Sequence, residues 1–127
     1  MTPFRFPQPG EEALVMGIIN LSPESFYGAS RCGTLEQALH VAEKMIEEGA
    51  DILDIGAESS RPGSAPLSEQ EELNRLLPIV IKLAEIIPIP ISVDTYKPAV
   101  AHEVLNAGAS IINDITGLQR FPDMAKT

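Results

Sequence analysis

Four polar residues sit where a soluble α/β chain has little structural reason to place them. Asn20, Asp54, Asp94 and Asn113 each close a short, mostly aliphatic run: Leu14 to Asn20, Asp51 to Ile55, Ile89 to Asp94 and Ser110 to Asp114. Runs of this length between turn-forming residues read as strands of a buried parallel sheet, whose side chains are nearly all apolar. Side chains alternate faces along a strand, so Ser92 and Asp94 share one face while Ile91 and Val93 take the other. Ligands of α/β sheets and barrels bind at the carboxyl ends of the strands. Two carboxylates and two carboxamides there, with no Lys or Arg among them, suit a neutral heterocycle rich in N–H donors and ring nitrogens. A carboxylate accepts a pair of N–H bonds, and a carboxamide both donates and accepts. Each residue taken alone serves equally well as a turn former or helix cap. Four with one geometry favour a site.

The elements that must position them follow from periodicity. Thr34 and Gln37 form a capping box ahead of a helix whose apolar face is Leu35, Ala38, Leu39, Ala42, Met45 and Ile46, with Gly49 as its stop. Ser68 and Glu71 form a second box, before a helix with Leu73, Leu76, Leu77, Val80 and Ala84 inward; Pro78 is predicted to divide it into two pieces. Pro98 opens a third helix, with Val100, Ala101, Val104 and Leu105 inward and Gly108 ending it. Strand and helix alternate four times, the pattern of a parallel sheet. Gly49-Ala50-Asp51-Ile52-Leu53-Asp54 recurs as Gly108-Ala109-Ser110-Ile111-Ile112-Asn113, so one unit is reused, as barrel architectures do.

Composition narrows the function classes. A net charge of −9 argues against a nucleic-acid surface. No apolar run reaches the length of a membrane span, and Met1 to Gly10 lacks the apolar core of a signal peptide. The lone Cys32 cannot form an internal disulfide, which fits a reducing cytoplasm. His40 and His102 lack metal-ligand spacing. No Gly-x-Ser-x-Gly or Gly-x-Gly-x-x-Gly context is present, which disfavours a serine hydrolase or a dinucleotide fold. Arg61, among Ser59, Ser60, Pro62 and Gly63, is a plausible anion contact, though one Arg in a surface loop is ordinary.

Three ordered segments resemble the dihydropteroate synthase family. They are Met16-Gly17-Ile18-Ile19-Asn20-Leu21-Ser22-Pro23-Glu24-Ser25-Phe26, then Gly49 to Gly63 with its Glu58-Ser59-Ser60-Arg61-Pro62-Gly63, and Ile91-Ser92-Val93-Asp94-Thr95 followed by Ile111-Ile112-Asn113-Asp114. The resemblance implies an α/β fold of the (β/α)8 TIM-barrel type, with residues 1–127 as its N-terminal part, about the first four βα units. It implies a transferase of folate biosynthesis. That enzyme condenses 6-hydroxymethyl-7,8-dihydropterin diphosphate with 4-aminobenzoate to give 7,8-dihydropteroate and diphosphate, with Mg²⁺ as cofactor.

Carried over by motif, Asn20 resembles the Mg²⁺-associated asparagine, and Asp94 and Asn113 resemble pterin contacts, with Asp54 in the same pocket wall. Ser60 and Arg61 resemble the substrate-loop pair, and Phe26 and Pro62 fall in the loops closing over 4-aminobenzoate. Tyr27-Gly28-Ala29-Ser30 departs from the family's Ser-Asp-Gly-Gly, so the loop aspartate is replaced by Gly28. The family's later aspartate, lysine and arginine–histidine pair are not among these 127 residues, so the chain alone is expected to be inactive. A homodimer is expected, and neither nucleic acid nor membrane is an expected partner. The alternatives are the pterin-binding domain of a methyltetrahydrofolate methyltransferase type of protein, or a non-catalytic half-barrel.

Overall fold

The computed structural model describes residues 7–21, 35–57 and 67–114. In chain order they form β1 (Met16–Asn20), α1 (Leu35–Glu47), β2 (Ile52–Gly56), α2 (Glu69–Ile86), β3 (Ile91–Asp94), α3 (Pro98–Ala107) and β4 (Ile111–Asn113). The strands lie in the order β1-β2-β3-β4, all parallel. Each therefore pairs with its successor, with no reversal of winding, as in a barrel and unlike a doubly wound sheet.

One face of this sheet is the core. Ile19, Leu53, Ile55, Ile91 and Val93 alternate out of the ladder and are buried against Ala38, Ala42, Leu76, Val80, Leu83, Val100 and Val104 from the three helices. Helix α2 packs between α1 and α3. The opposite face carries Met16, Ile18, Asn20, Ile52, Asp54, Ser92, Asp94, Ile111 and Asn113. Ile18 stays 56% exposed on it. No helix among the described residues is long and apolar enough to cross a membrane.

The ends of the elements follow local chemistry. Helices α1 and α3 stop in the same way. Gly49 and Gly108 adopt φ +108° and +124°. Their N–H groups bond back to Ile46 and Leu105, while the next residues, Ala50 and Ala109, donate to Met45 and Val104. This is the Schellman arrangement at both copies of the internal echo. Ser68 caps α2: its Oγ accepts the Glu71 N–H at 3.1 Å and donates to Glu71 Oε1 at 3.1 Å. Asp51 stays outside β2 because it is occupied as a clamp. Its Oδ2 accepts the Val15 N–H at 2.9 Å, while Val15 O accepts the Asp51 and Ile52 N–H groups at 2.7 and 3.2 Å.

Several boundaries differ from expectation. Strand β1 begins at Met16, with Leu14 and Val15 exposed, and β4 is confined to Ile111–Asn113. Strand β3 begins at Ile91 because Pro90 has no N–H to give to a ladder. Leu35 is exposed at the start of α1, outside the core face. Thr34 lies outside the described residues. Pro78 does not divide α2, which runs unbroken from Glu69 to Ile86. The missing N–H and ring clash cost about 3 kcal/mol. Burial of Leu76, Ile79, Val80 and Leu83 on both sides of the proline, at about 1.5–3 kcal/mol each, outweighs that. Ile79 and Leu83 join Leu76 and Val80 as the buried residues of this face, while Leu73, Leu77 and Ala84 are only partly buried against it.

The two helix-ending glycines give an internal comparison. A Cβ on Gly49 would meet nothing within 4 Å, whereas one on Gly108 would lie 2.6 Å from Ala84 Cβ. Gly49→Ala is expected to cost about 1 kcal/mol, from positive φ alone. Gly108→Ala is expected to cost about 1–3 kcal/mol more, from overlap between α3 and α2. Urea unfolding of the two variants beside the parent measures the difference; equal losses would contradict the close approach of the helices.

Candidate functional site

The register of the ladder sets the polar residues in two tiers. Asn20, Gly56, Asp94 and Asn113 are successive partners across the four strands. They form a row at the carboxyl edge of the sheet, on the face away from the helices. One tier deeper on the same face, Asp54 pairs in register with Ser92. Asp94 and Asn113 stand side by side, the neighbourhood that consecutive parallel strands predict.

Asp54 does not end its strand. Strand β2 continues to Gly56, so Asp54 is interior and only 4% exposed. Ser92 Oγ donates to Asp54 Oδ1 at 2.7 Å. Desolvation by burial raises the Asp54 carboxyl above its ordinary value of 3.8, while hydrogen bonds from the side chains of Ser92 and Asn113 partly offset the rise. Since a carboxylate only accepts, Asn113 presents its amide N–H to Asp54, which leaves its carbonyl oxygen directed elsewhere. Asp54 thus lies beneath the row and sets the orientation of a residue in it.

Gly56 is a member of the row that sequence reasoning left in a loop. A Cβ there would stand 3.3 Å from Asp94 Cβ and 3.5 Å from Asp94 Oδ2. The absence of a side chain is what gives the Asp94 carboxylate its space. A glycine directly after the mostly aliphatic run Ile52 to Ile55 is the signal that could have found it.

Behind the row, on the helix side, lie two charges that sequence reasoning missed. Glu72 and Lys97 are buried, and Lys97 Nζ meets Glu72 Oε1 at 2.6 Å. A glutamate in the first turn of a helix is usually explained by the helix dipole, so its sequence position gave no sign of the pairing.

Phe26, Ser60, Arg61 and Pro62 lie outside the described residues. Among the described residues no group of three or more His, Cys, Asp or Glu side chains could hold a metal ion. Asn20 contributes one carboxamide at the edge of the row. Such a donor fits Mg²⁺ of the kind held by few protein oxygens and completed by substrate phosphates and water, not a metal caged by protein alone.

Residues 16–127 match the family model described as pterin binding enzyme. The dihydropteroate synthase of Bacillus subtilis is 50% identical over 115 residues, 91% of this chain and 40% of the relative. Among solved structures, a dihydropteroate synthase of Coxiella burnetii in complex with pteroic acid is 51% identical with a TM-score of 0.76, covering 84% of this chain and 37% of that one. A dihydropteroate synthase of Xanthomonas albilineans with 4-aminobenzoic acid is 42% identical with a TM-score of 0.78, covering 89% and 42%. The chain spans about two fifths of the length of these relatives.

Asp54 carries a pH signature. Its folded-state pKa lies above the unfolded value, so the folded chain keeps a proton that the unfolded chain has released. The stability contributed by Asp54 is full below about 3.8 and is lost as pH rises through the interval up to the folded value. Asp54→Asn keeps the shape and lets Ser92 turn from donor to acceptor. It is expected to flatten the fall in unfolding free energy over that interval and to be no less stable than the parent at neutral pH. Urea unfolding at a series of pH values checks this; a slope identical to the parent's would show that Asp54 is not the group responsible.

Proposed function

The chain belongs to the pterin-binding enzyme family, and on that premise we propose that it forms the N-terminal part of a dihydropteroate synthase. The reaction joins 6-hydroxymethyl-7,8-dihydropterin diphosphate to 4-aminobenzoate. The bond between the pterin methylene carbon and the diphosphate oxygen breaks, the amine nitrogen bonds to that carbon and loses a proton, and diphosphate leaves. The single observation that carries the reading is the register pairing of Asp94 with Asn113 beside Gly56, at the carboxyl edge of a parallel sheet. Relatives at 42–51% identity bear names or ligands of the same chemistry.

In this reading Asp94 accepts N–H bonds from the pterin edge. Asn113, with its amide hydrogen turned to Asp54, offers its carbonyl oxygen as a neighbouring acceptor. Gly56 leaves the ring room to lie against the Asp94 carboxylate. Ser60 and Arg61 serve the substrate loop, and Phe26 and Pro62 close over 4-aminobenzoate. Asn20 would hold Mg²⁺, whose chemistry is to offset the charge of the departing diphosphate. Cations that position the transferring group would come from residues other than those in this row, which contains none. A homodimer in a reducing cytoplasm belongs to the same proposal. The lone Cys32 fits the reducing compartment.

Asp94→Asn in the full-length protein tests this directly. The change turns one acceptor toward a pterin N–H into a donor, a buried mismatch costing about 1–3 kcal/mol. Pterin diphosphate affinity is expected to fall roughly tenfold or more by calorimetric titration. The thermal midpoint should stay close to the parent's, because Asp94 is only partly buried at the sheet edge. Unchanged affinity with a sharply lowered midpoint would make Asp94 a structural cap and remove the main support for the reading.

A further inference from the structure

The buried charges behind the sheet hold the segment that follows Asp94. The Lys97 and Glu72 side chains are 9% and 1% exposed, and their contact spans 25 residues of sequence. Lys97 Nζ also lies 4.4 Å from the centroid of the Tyr96 ring. One turn further along α2, Arg75 Nη1 donates to Ala57 O at 3.4 Å. The first two turns of α2 therefore grip the chain just beyond Gly56 and just beyond Asp94, the facing ends of β2 and β3. Between Asp94 and Lys97, Thr95 donates its N–H to Asn113 O at 3.2 Å, and its Oγ1 accepts the Lys97 N–H at 3.3 Å. The path from Asp94 to Lys97 is thus tied to β4 on one side and to α2 on the other.

We propose that Glu72 and Lys97 are positioning residues for Asp94, setting the direction in which β3 leaves the sheet and hence where its last carboxylate stands. The effect on ligand binding rests on the reading of Asp94 as a pterin contact. Stability alone explains the pair poorly. Two buried charges lose their hydration, and apolar side chains of similar length usually fill the same space with equal or greater stability. What an apolar pair lacks is direction: an ammonium must point at a carboxylate oxygen, which fixes the backbone at both ends.

The test replaces direction and keeps volume. In the full-length protein, the double variant Glu72→Met with Lys97→Met is compared with the parent by thermal melting, by amide hydrogen exchange at Thr95 and Leu53, and by calorimetric binding of pteroic acid. The midpoint is expected to stay within a few degrees, with Leu53 exchange unchanged. Thr95 exchange should quicken roughly tenfold as its bond to Asn113 loosens. Pteroic acid affinity should fall roughly fivefold or more. Thr95 exchange equal to the parent's overturns the proposal. So does quickened Thr95 with undiminished affinity, and so does uniform quickening with a collapsed midpoint, which would mark the pair as structural support. Should the parent itself bind no pteroic acid, the pterin reading fails, and Thr95 exchange alone decides whether the pair positions the strand end. If the double variant does not fold, Glu72→Gln, which keeps an oxygen for the ammonium but removes its charge, carries the same three comparisons.

Discussion

The strict two-residue alternation of a parallel ladder governs this molecule. Each strand must send one set of side chains to the helices and the other to the opposite face, and register then lines up equivalent positions across four strands. Ile19, Ile55, Val93 and Ile112 form one such line and close the core. Asn20, Gly56, Asp94 and Asn113 form the next line, one residue along, and face away from it. Apolar packing and the polar row are consequences of a single choice of register, so the helices that bury the first line also hold the second in place.

Burial of polar groups here is matched by partners at every step. Among the described residues, no buried side-chain nitrogen or oxygen lacks a hydrogen-bond partner. Asp54 is served by Ser92 and Asn113, and Glu72 by Lys97. Leaving any of them unmatched would cost about 1–3 kcal/mol or more, a large share of the stability of a domain this size. Asp54 and Glu72 flank the ligand row, one beneath it within the sheet and one behind it on the helix side. Both are accordingly tied to neighbours that shape the row.

Much of this was legible in the sequence where chemistry is local. Gly49, Gly108, Ser68 and Pro98 each announce a helix boundary through their own backbone or cap, and all four act as read. The succession of strands and helices, and the adjacency of Asp94 and Asn113, follow from periodicity and parallel connection alone. Where tertiary packing decides, the sequence was mute or misleading. Pro78 looks like a break until the sheet covering both halves of α2 is seen. The depth of Asp54 depends on β2 running through Gly56, a residue with weak strand preference. The Glu72–Lys97 contact joins positions 25 residues apart, and nothing in either local context marks it. Phe26, Ser60, Arg61 and Pro62 rest on motif resemblance.

The clamp between Val15 and Asp51 has a bearing on the far end of β1. As an edge of the ladder, β1 is gripped laterally by β2 alone among the described strands. A strand held on one side is prone to slide along its neighbour, and a slide of two residues preserves which side chains face inward. Alternation by itself would therefore tolerate such a slip, although it would carry Asn20 about 7 Å past Gly56. The carboxylate of Asp51 on the Val15 N–H, with two return bonds to the Val15 carbonyl, resists that displacement from the opposite rim of the sheet. The height of Asn20 is thus metered at the foot of the strand, where substitutions would shift a distant donor without touching it.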